Sequence, residues 1–296
     1  KTDVNGYVYL LGTTFGPDGR NAFLRKYDSN GNEVWVRRFG NGFLNPSGMA
    51  IVGGYIYVSA GVESGYPAND MAVFKYDIDG NQIWESMFEA ISDNLHSKIV
   101  ANENGIYVTG GEQQAFIVKL DLDGNKIWMR EPVLNTHEGG MGIGINGSYL
   151  YVTGFQYGSG HLGAFIIKYD FEGNEIWTRQ FDTLDGASEG IVTNEGIYIA
   201  GFQDDVYHYD FDGNRIWATR FGIGGGCLYP SGIDADATGV YLTAGGSCFF
   251  PDETGAGGTD VFVAKLDTNG NLVWHFLFGS AGNDAGVSVA VYGADI

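Results

Sequence analysis

One phrase recurs six times along this chain: "YDSNGNEVW" (27–35), "YDIDGNQIW" (76–84), "LDLDGNKIW" (120–128), "YDFEGNEIW" (169–177), "YDFDGNRIW" (209–217) and "LDTNGNLVW" (266–274). It contains every tryptophan of the protein: Trp35, Trp84, Trp128, Trp177, Trp217 and Trp274. The successive spacings are 49, 44, 49, 40 and 57 residues. Repeats of that length belong to β-propeller blades, and a repeat overrides any domain count taken from length alone.

Each unit carries four strand-like pieces. One unit runs "GGMGIGI" (139–145), "SYLYVTG" (148–154), "AFIIKYD" (164–170) and "NEIWTRQF" (174–181). The first piece is small and glycine-rich, as a strand near a crowded axis must be. The others alternate bulky and polar residues or run apolar, which suits sheets covered on both faces. The repeated phrase joins the third piece to the fourth. Its Asp (28, 77, 121, 170, 210, 267) fits the first position of a type I turn. Its Gly (31, 80, 124, 173, 213, 270) fits the left-handed position that closes a hairpin with a bulge. The turn sets the register, and the register aims the indole at the neighbouring blade.

The expected architecture is therefore all-β: one domain over 1–296, a six-bladed β-propeller with four-stranded antiparallel blades. The chain opens on a second strand near residues 7–12 and closes on a first-strand sequence, "AGVSVAVYG" (285–293). The C-terminal strand is expected to pair into the N-terminal blade and close the ring, which removes exposed edges. The final "ADI" (294–296) reads as the start of a further second strand, and the chain starts at Lys1 without an initiator Met. Both features leave open that this is a portion of a longer array.

The pattern D-[AV]-F-[VI]-x-K-[YL]-D-x-x-G-N-x-[IV]-W resembles the bacterial and archaeal β-propeller repeats often called SBBP. "DVFVAKLDTNGNLVWHFLFGSAGND" (260–284) is similar to their consensus. A weaker resemblance extends to the tryptophan-docking repeats of quinoprotein propellers. Blade five departs, with "DDVYHYD" and His208 where most copies carry Lys. The resemblance implies a module of secreted or cell-surface proteins without assigned activity, so it speaks to fold and location more than to chemistry.

The chain has 36 acidic and 16 basic residues, a net charge of −20. That excludes nucleic acid as a partner, because phosphates reward Lys and Arg. No apolar run approaches the roughly 18 residues of a membrane span. Three patterns suggest chemistry and each has a structural reading beside it. The acidic turns look like calcium loops, but Gly comes at position 4 and a strand follows at once, which favours a hairpin; calcium is the one cofactor kept open. The lysines at 26, 75, 119, 168 and 265 read as stems packed between blades, with the ammonium on an acid or an aromatic face. The five histidines include none at a metal-site spacing.

The connections after second and fourth strands are expected on one face of a propeller. They hold the candidate binding residues Tyr66, His96, His137, Tyr157, His161, Tyr229, Phe249 and Asp284. Aromatic side chains there suit a protein or glycan partner. Cys227 and Cys248 fall in two such connections of one blade, where a disulfide is geometrically reasonable and would suit an oxidising compartment. Asn146 opens the sequon Asn146-Gly147-Ser148.

No catalytic residue is assigned. The sequence reads as a non-enzymatic extracellular or cell-surface module, structural or binding, with a protein, a glycan or further copies of itself as partner. The alternative is a propeller lyase, glycosidase or quinoprotein-like oxidoreductase using His96, His137, Glu138, Glu189 and Asp284 around the channel mouth.

Overall fold

A computed structural model of the 296-residue chain describes all residues except 17–18, 41–43, 63–69, 90–95, 112–113, 133, 135–136, 159–160, 182–186, 202–204, 221–227, 247–254 and 292–296. The described elements are all strands. The first sheet holds β1 (Val8–Gly16), β2 (Gly19–Tyr27) and β3 (Glu33–Phe39). The second holds β4 (Leu44–Val52), β5 (Tyr55–Val62), β6 (Asp70–Asp77) and β7 (Gln82–Glu89). The third holds β8 (Ser97–Asn102), β9 (Gly105–Gly110), β10 (Phe116–Leu120) and β11 (Lys126–Arg130). The fourth holds β12 (His137–Asn146), β13 (Tyr149–Gly158), β14 (His161–Asp170) and β15 (Glu175–Phe181). The fifth holds β16 (Ala187–Val192), β17 (Ile197–Gly201), β18 (Asp205–Tyr209) and β19 (Arg215–Arg220). The sixth holds β20 (Leu228–Asp236), β21 (Gly239–Gly246), β22 (Asp260–Leu266) and β23 (Leu272–Phe278). In every sheet the spatial order is the chain order, an antiparallel meander, and the fold is a six-bladed β-propeller.

The six hairpins between third and fourth strands are built as the sequence demands. In the second sheet, Asp77 N–H donates to Asn81 O (3.0 Å) and Gly80 N–H to Asp77 O (3.0 Å). Gly80 sits at φ 81°, and the ladder shifts register between Lys75 and Tyr76, the bulge that such a turn leaves. The Asp77 carboxylate accepts from the N–H groups of Asp79 (3.0 Å) and Asn81 (2.8 Å) and from the Asn81 side-chain amide (2.8 Å). These three bonds lock the loop from within, which explains Asp and Asn at the two fixed positions.

The chain divides into two compact units, residues 1–143 with 171–173 and residues 144–170 with 174–296. In each, the core is a series of clusters shared by successive sheets. In the first unit one cluster joins Tyr9 and Leu24 to Ile56, Phe74 and Tyr76, and another joins Tyr57 and Val73 to Ile99, Val108 and Val118. In the second unit Tyr151 and Ile166 pack with Ile199 and Tyr209, and Tyr198 and Val206 pack with Leu242 and Phe262. A chain built this way buries apolar surface at each junction in turn, as repeat arrays do.

The glycines of the first strands answer to contacts in the preceding sheet. A Cβ on Gly140 would collide with Thr109 Oγ1, one on Gly190 with Thr153 Oγ1, and one on Gly286 with Thr243 Oγ1. Gly286 thus repeats, in the segment after β23, the place that Gly140 and Gly190 hold in β12 and β16. The same segment runs beside β20: Ser231 Oγ donates to Gly286 O, and Val291 N–H to Asp234 Oδ2 (2.9 Å). It occupies the slot of a first strand following the sixth blade, although residues 285–291 are not assigned as a strand.

The start of the chain was not legible as strand. Thr2 bridges Val8, the Lys1 amino group donates to Tyr9 O (3.1 Å), and Tyr9 N–H donates to Lys1 O (2.7 Å). Residues 1–3 therefore run antiparallel beside the start of β1, on the side where a first strand lies in the other sheets, and β1 is the first assigned strand, in the second position that the sequence implied. Asp3 anchors them: it is buried and accepts from Asn5 N–H (2.9 Å), Tyr7 N–H (3.1 Å) and Tyr9 Oη (3.0 Å). Three residues are too short for a periodic pattern to show.

Candidate functional site

The repeated polar residues serve the junctions between blades. Trp84 Nε1 donates to Leu122 O (3.2 Å) in the next blade's turn, and Lys75 Nζ donates to the same oxygen (3.0 Å). Trp35 (3.3 Å) and Lys26 (3.2 Å) share Ile78 O, and Trp128 (3.2 Å) and Lys119 (2.9 Å) share Phe171 O. Trp217 Nε1 reaches Thr268 O at 3.0 Å. The indoles lie over the glycines of those turns, Gly80, Gly124, Gly173, Gly213 and Gly270, all buried. Each lysine also faces tyrosine rings: Lys26 over Tyr7 (4.1 Å), Lys75 over Tyr55 (4.2 Å) and Lys168 over Tyr149 (4.2 Å). The expected aromatic partner is present; in place of an acid, the ammonium groups of Lys26, Lys75, Lys119 and Lys168 meet a backbone carbonyl, and that of Lys265 meets Thr238 Oγ1 (2.9 Å).

His208 takes the lysine's place in the fifth blade. It stacks on Tyr198 (4.2 Å between centroids, 13° between planes), and its Nε2 lies 3.1 Å from Glu195 O. A carbonyl only accepts, so Nε2 carries the proton and Nδ1 is left bare, buried and unpartnered. Burial of the ring holds its pKa below the ordinary 6.5, against the raising pull of Glu195 and Asp210.

The candidate residues from the connections are distributed among the blades. Tyr157 is half exposed (50 %) near the end of β13, where it pairs across the ladder with Leu162 of β14 (38 % exposed). Tyr229 in β20 is exposed (59 %). His96 is exposed just before β8. His137 opens β12 and His161 opens β14, but their side chains are outside the described part, as are Tyr66, Phe249, Cys227 and Cys248 altogether. Asn146 ends β12, partly buried, at a turn where Gly147 has φ 58°. Glu138 is buried and Glu189 partly so. Among the described residues, no group of three or more His, Cys, Asp or Glu could hold a metal ion.

Sequence reasoning missed one arrangement in the sixth blade. The segment before β22 and the segment after β23 are laced together. Gly258 N–H donates to Gly282 O (3.1 Å), Asp284 N–H to Thr259 O (2.7 Å), and Thr259 N–H to Asn283 Oδ1 (3.1 Å). Asp260 is fully buried at the start of β22, and its Oδ2 accepts from Ala256 N–H (3.0 Å). Asp284 Oδ2 accepts from Ser280 N–H (2.6 Å) and Ser280 Oγ (2.9 Å). Both carboxylates face Gly279: its Cβ position abuts Asp260 Oδ1 and lies 3.0 Å from Asp284 Oδ2. The only signal for this was the glycine run around each aspartate.

The fold is a propeller with repeated polar groups engaged at its junctions and exposed aromatic side chains at strand ends. No protein-family model matches this sequence, and neither does any curated protein. Solved propellers do resemble it. BamB from Moraxella catarrhalis aligns over 97 % of this chain and 93 % of its own, with a TM-score of 0.54 and 16 % identity. The Dos1 propeller aligns over 96 % and 78 %, with a TM-score of 0.54 and 10 % identity. BBS1N, solved in complex with ARL6DN, aligns over 95 % and 84 %, with a TM-score of 0.50 and 11 % identity. At these identities the likeness is one of fold.

Proposed function

We propose that this chain is a non-enzymatic propeller module of the SBBP-repeat kind that works outside the cell or at its surface and binds a protein partner. The observation that carries this reading is the exposure of Tyr157, Leu162 and Tyr229 at strand ends, where large apolar side chains gain nothing from water. The junction residues are engaged in holding blades together, which leaves such strand ends available for a partner. BBS1N, of the same fold, was solved with a bound protein. A net charge of −20 favours a partner with basic groups at its rim. Among the described residues, no helix is long and apolar enough to cross a membrane.

The test is cross-linking capture from the extracellular fraction of the source cells, with the intact chain and a Tyr157→Ser/Tyr229→Ser variant. A protein captured by the first and lost by the second, at equal melting midpoints, supports the reading. Binding to a glycan array with no protein capture, or turnover of a glycoside or uronate polymer, overturns it. Sedimentation analysis separates the remaining case, in which the partner is a second copy of the chain.

A further inference from the structure

Asp260 presents a problem that its surroundings do not solve. It is 0 % exposed, and its Oδ1 has no hydrogen-bond partner. A buried, unpaired carboxylate oxygen is costly, because desolvation is not repaid by any donor. That oxygen points toward Gly279, where it meets a second carboxylate, Asp284, whose Oδ2 already takes two donors from Ser280. No Lys, Arg or His among the described residues pairs with either aspartate. Two like charges converging on one glycine repel, and the burial of Asp260 removes the water that would screen its side of the pair.

We propose that Asp260 and Asp284 form a binding site for one divalent cation of the calcium class. The cation would sit against Asp260 Oδ1, satisfying the orphaned oxygen and cancelling the repulsion. Calcium suits the site because it takes oxygen ligands in flexible number and accepts neutral ones beside a few carboxylates. Neutral oxygens are at hand: the segment 279–284 places Ser280 Oγ and Asn283 Oδ1 on the same short loop. Gly279 belongs to the design, since any side chain there would fill the space between the two carboxylates. The site differs from the six acidic hairpin turns, whose aspartates are engaged by their own backbone and Asn side chains and leave no orphaned oxygen.

The prediction is separate from the proposed partner, and its test uses no partner. Calcium chloride is titrated into the intact, chelator-treated chain, followed by calorimetry and by the melting midpoint, with magnesium chloride as comparator. Binding of one calcium with a dissociation constant of about 0.1–1 mM is expected, the range of extracellular modules. The midpoint should rise by a few degrees at ten times that concentration. Asp284→Asn, whose side chain can still accept from Ser280, should lose at least tenfold in affinity while melting normally in chelator. Asp260→Asn should lose the calcium response altogether, and if it folds poorly the Asp284 variant decides. No calcium response in the intact chain overturns the proposal. An undiminished response in Asp284→Asn also overturns it, by moving the ion to another place such as the hairpin turns.

Discussion

Lys75 and Trp84 face each other across the β6–β7 ladder and donate to one oxygen, the Leu122 carbonyl of the following blade. The pair turns two strands' worth of sequence into one inter-blade clamp. The indole supplies area over Gly124, its N–H a direction, and the ammonium a charge-assisted bond while lying over Tyr55 and Tyr57. The same arrangement recurs at Lys26 and Trp35, and at Lys119 and Trp128, so it is the repeated clamp between successive blades of the first unit.

Removing the indole should therefore cost more than its partial exposure suggests. Trp84→Ala is expected to destabilise by about 3 kcal/mol, from lost packing over Gly124 and the loss of one of the two donors to the Leu122 carbonyl, Lys75 remaining as the other. Trp84→Phe keeps a ring on Gly124 and loses the hydrogen bond, a loss of about 1 kcal/mol. Urea unfolding of the two variants measures the difference, and equal losses would remove the hydrogen bond from the account.

The turn glycines separate backbone strain from indole contact. Gly31 and Gly124 both hold positive φ, 81° and 90°, but a Cβ on Gly31 meets nothing within 4 Å, whereas one on Gly124 lies 3.1 Å from the Trp84 ring. Gly31→Ala should cost about 1–2 kcal/mol, the left-handed penalty alone. Gly124→Ala should cost about 1 kcal/mol more, from displacing the ring. Chemical denaturation of both variants provides the comparison.

Acid should loosen the turns. Asn side-chain donation holds the carboxyls of Asp28, Asp77, Asp121 and Asp267 below their ordinary 3.8, with backbone N–H donation adding to it. For Asp210, burial pushes upward but donation from Asn214 outweighs it. A carboxyl with a depressed folded-state pKa contributes stability that is complete above the unfolded value and lost as pH falls through the folded one. Melting midpoints should hold from pH 6 to about 4 as far as these groups are concerned, then drop steeply below it. Asn81→Leu and Asn125→Leu should each make that acid limb shallower.

His208 adds a second, milder pH dependence. Its ring is favoured neutral, because burial desolvates the charged form; the buried Nδ1 has no hydrogen-bond partner. Its contribution is complete above 6.5 and declines as pH falls below that value. The groups around it are Tyr198, Trp217, Glu195 and Asp210. The midpoint should fall modestly between pH 7.5 and 5.5, and His208→Lys, which restores the residue of the other blades, should flatten that interval. Differential scanning calorimetry across the range gives the result.

The repeat, the hairpin turns and the count of blades were all legible in the amino acids, because a turn is made by residues adjacent in the chain. Asp77, Gly80 and Asn81 carry the whole of their local geometry within five positions, and Trp84 inherits its direction from them. What Trp84 and Lys75 donate to was not legible: the acceptor is a backbone carbonyl, which every residue has, so Leu122 carries no mark of it. The close approach of Gly140 to Thr109, the bridge from Thr2 to Val8 and the nearness of Asp260 and Asp284 to Gly279 have the same character. Each depends on which strands fold against one another, and only the packing of neighbouring blades decides which oxygen is left without a donor.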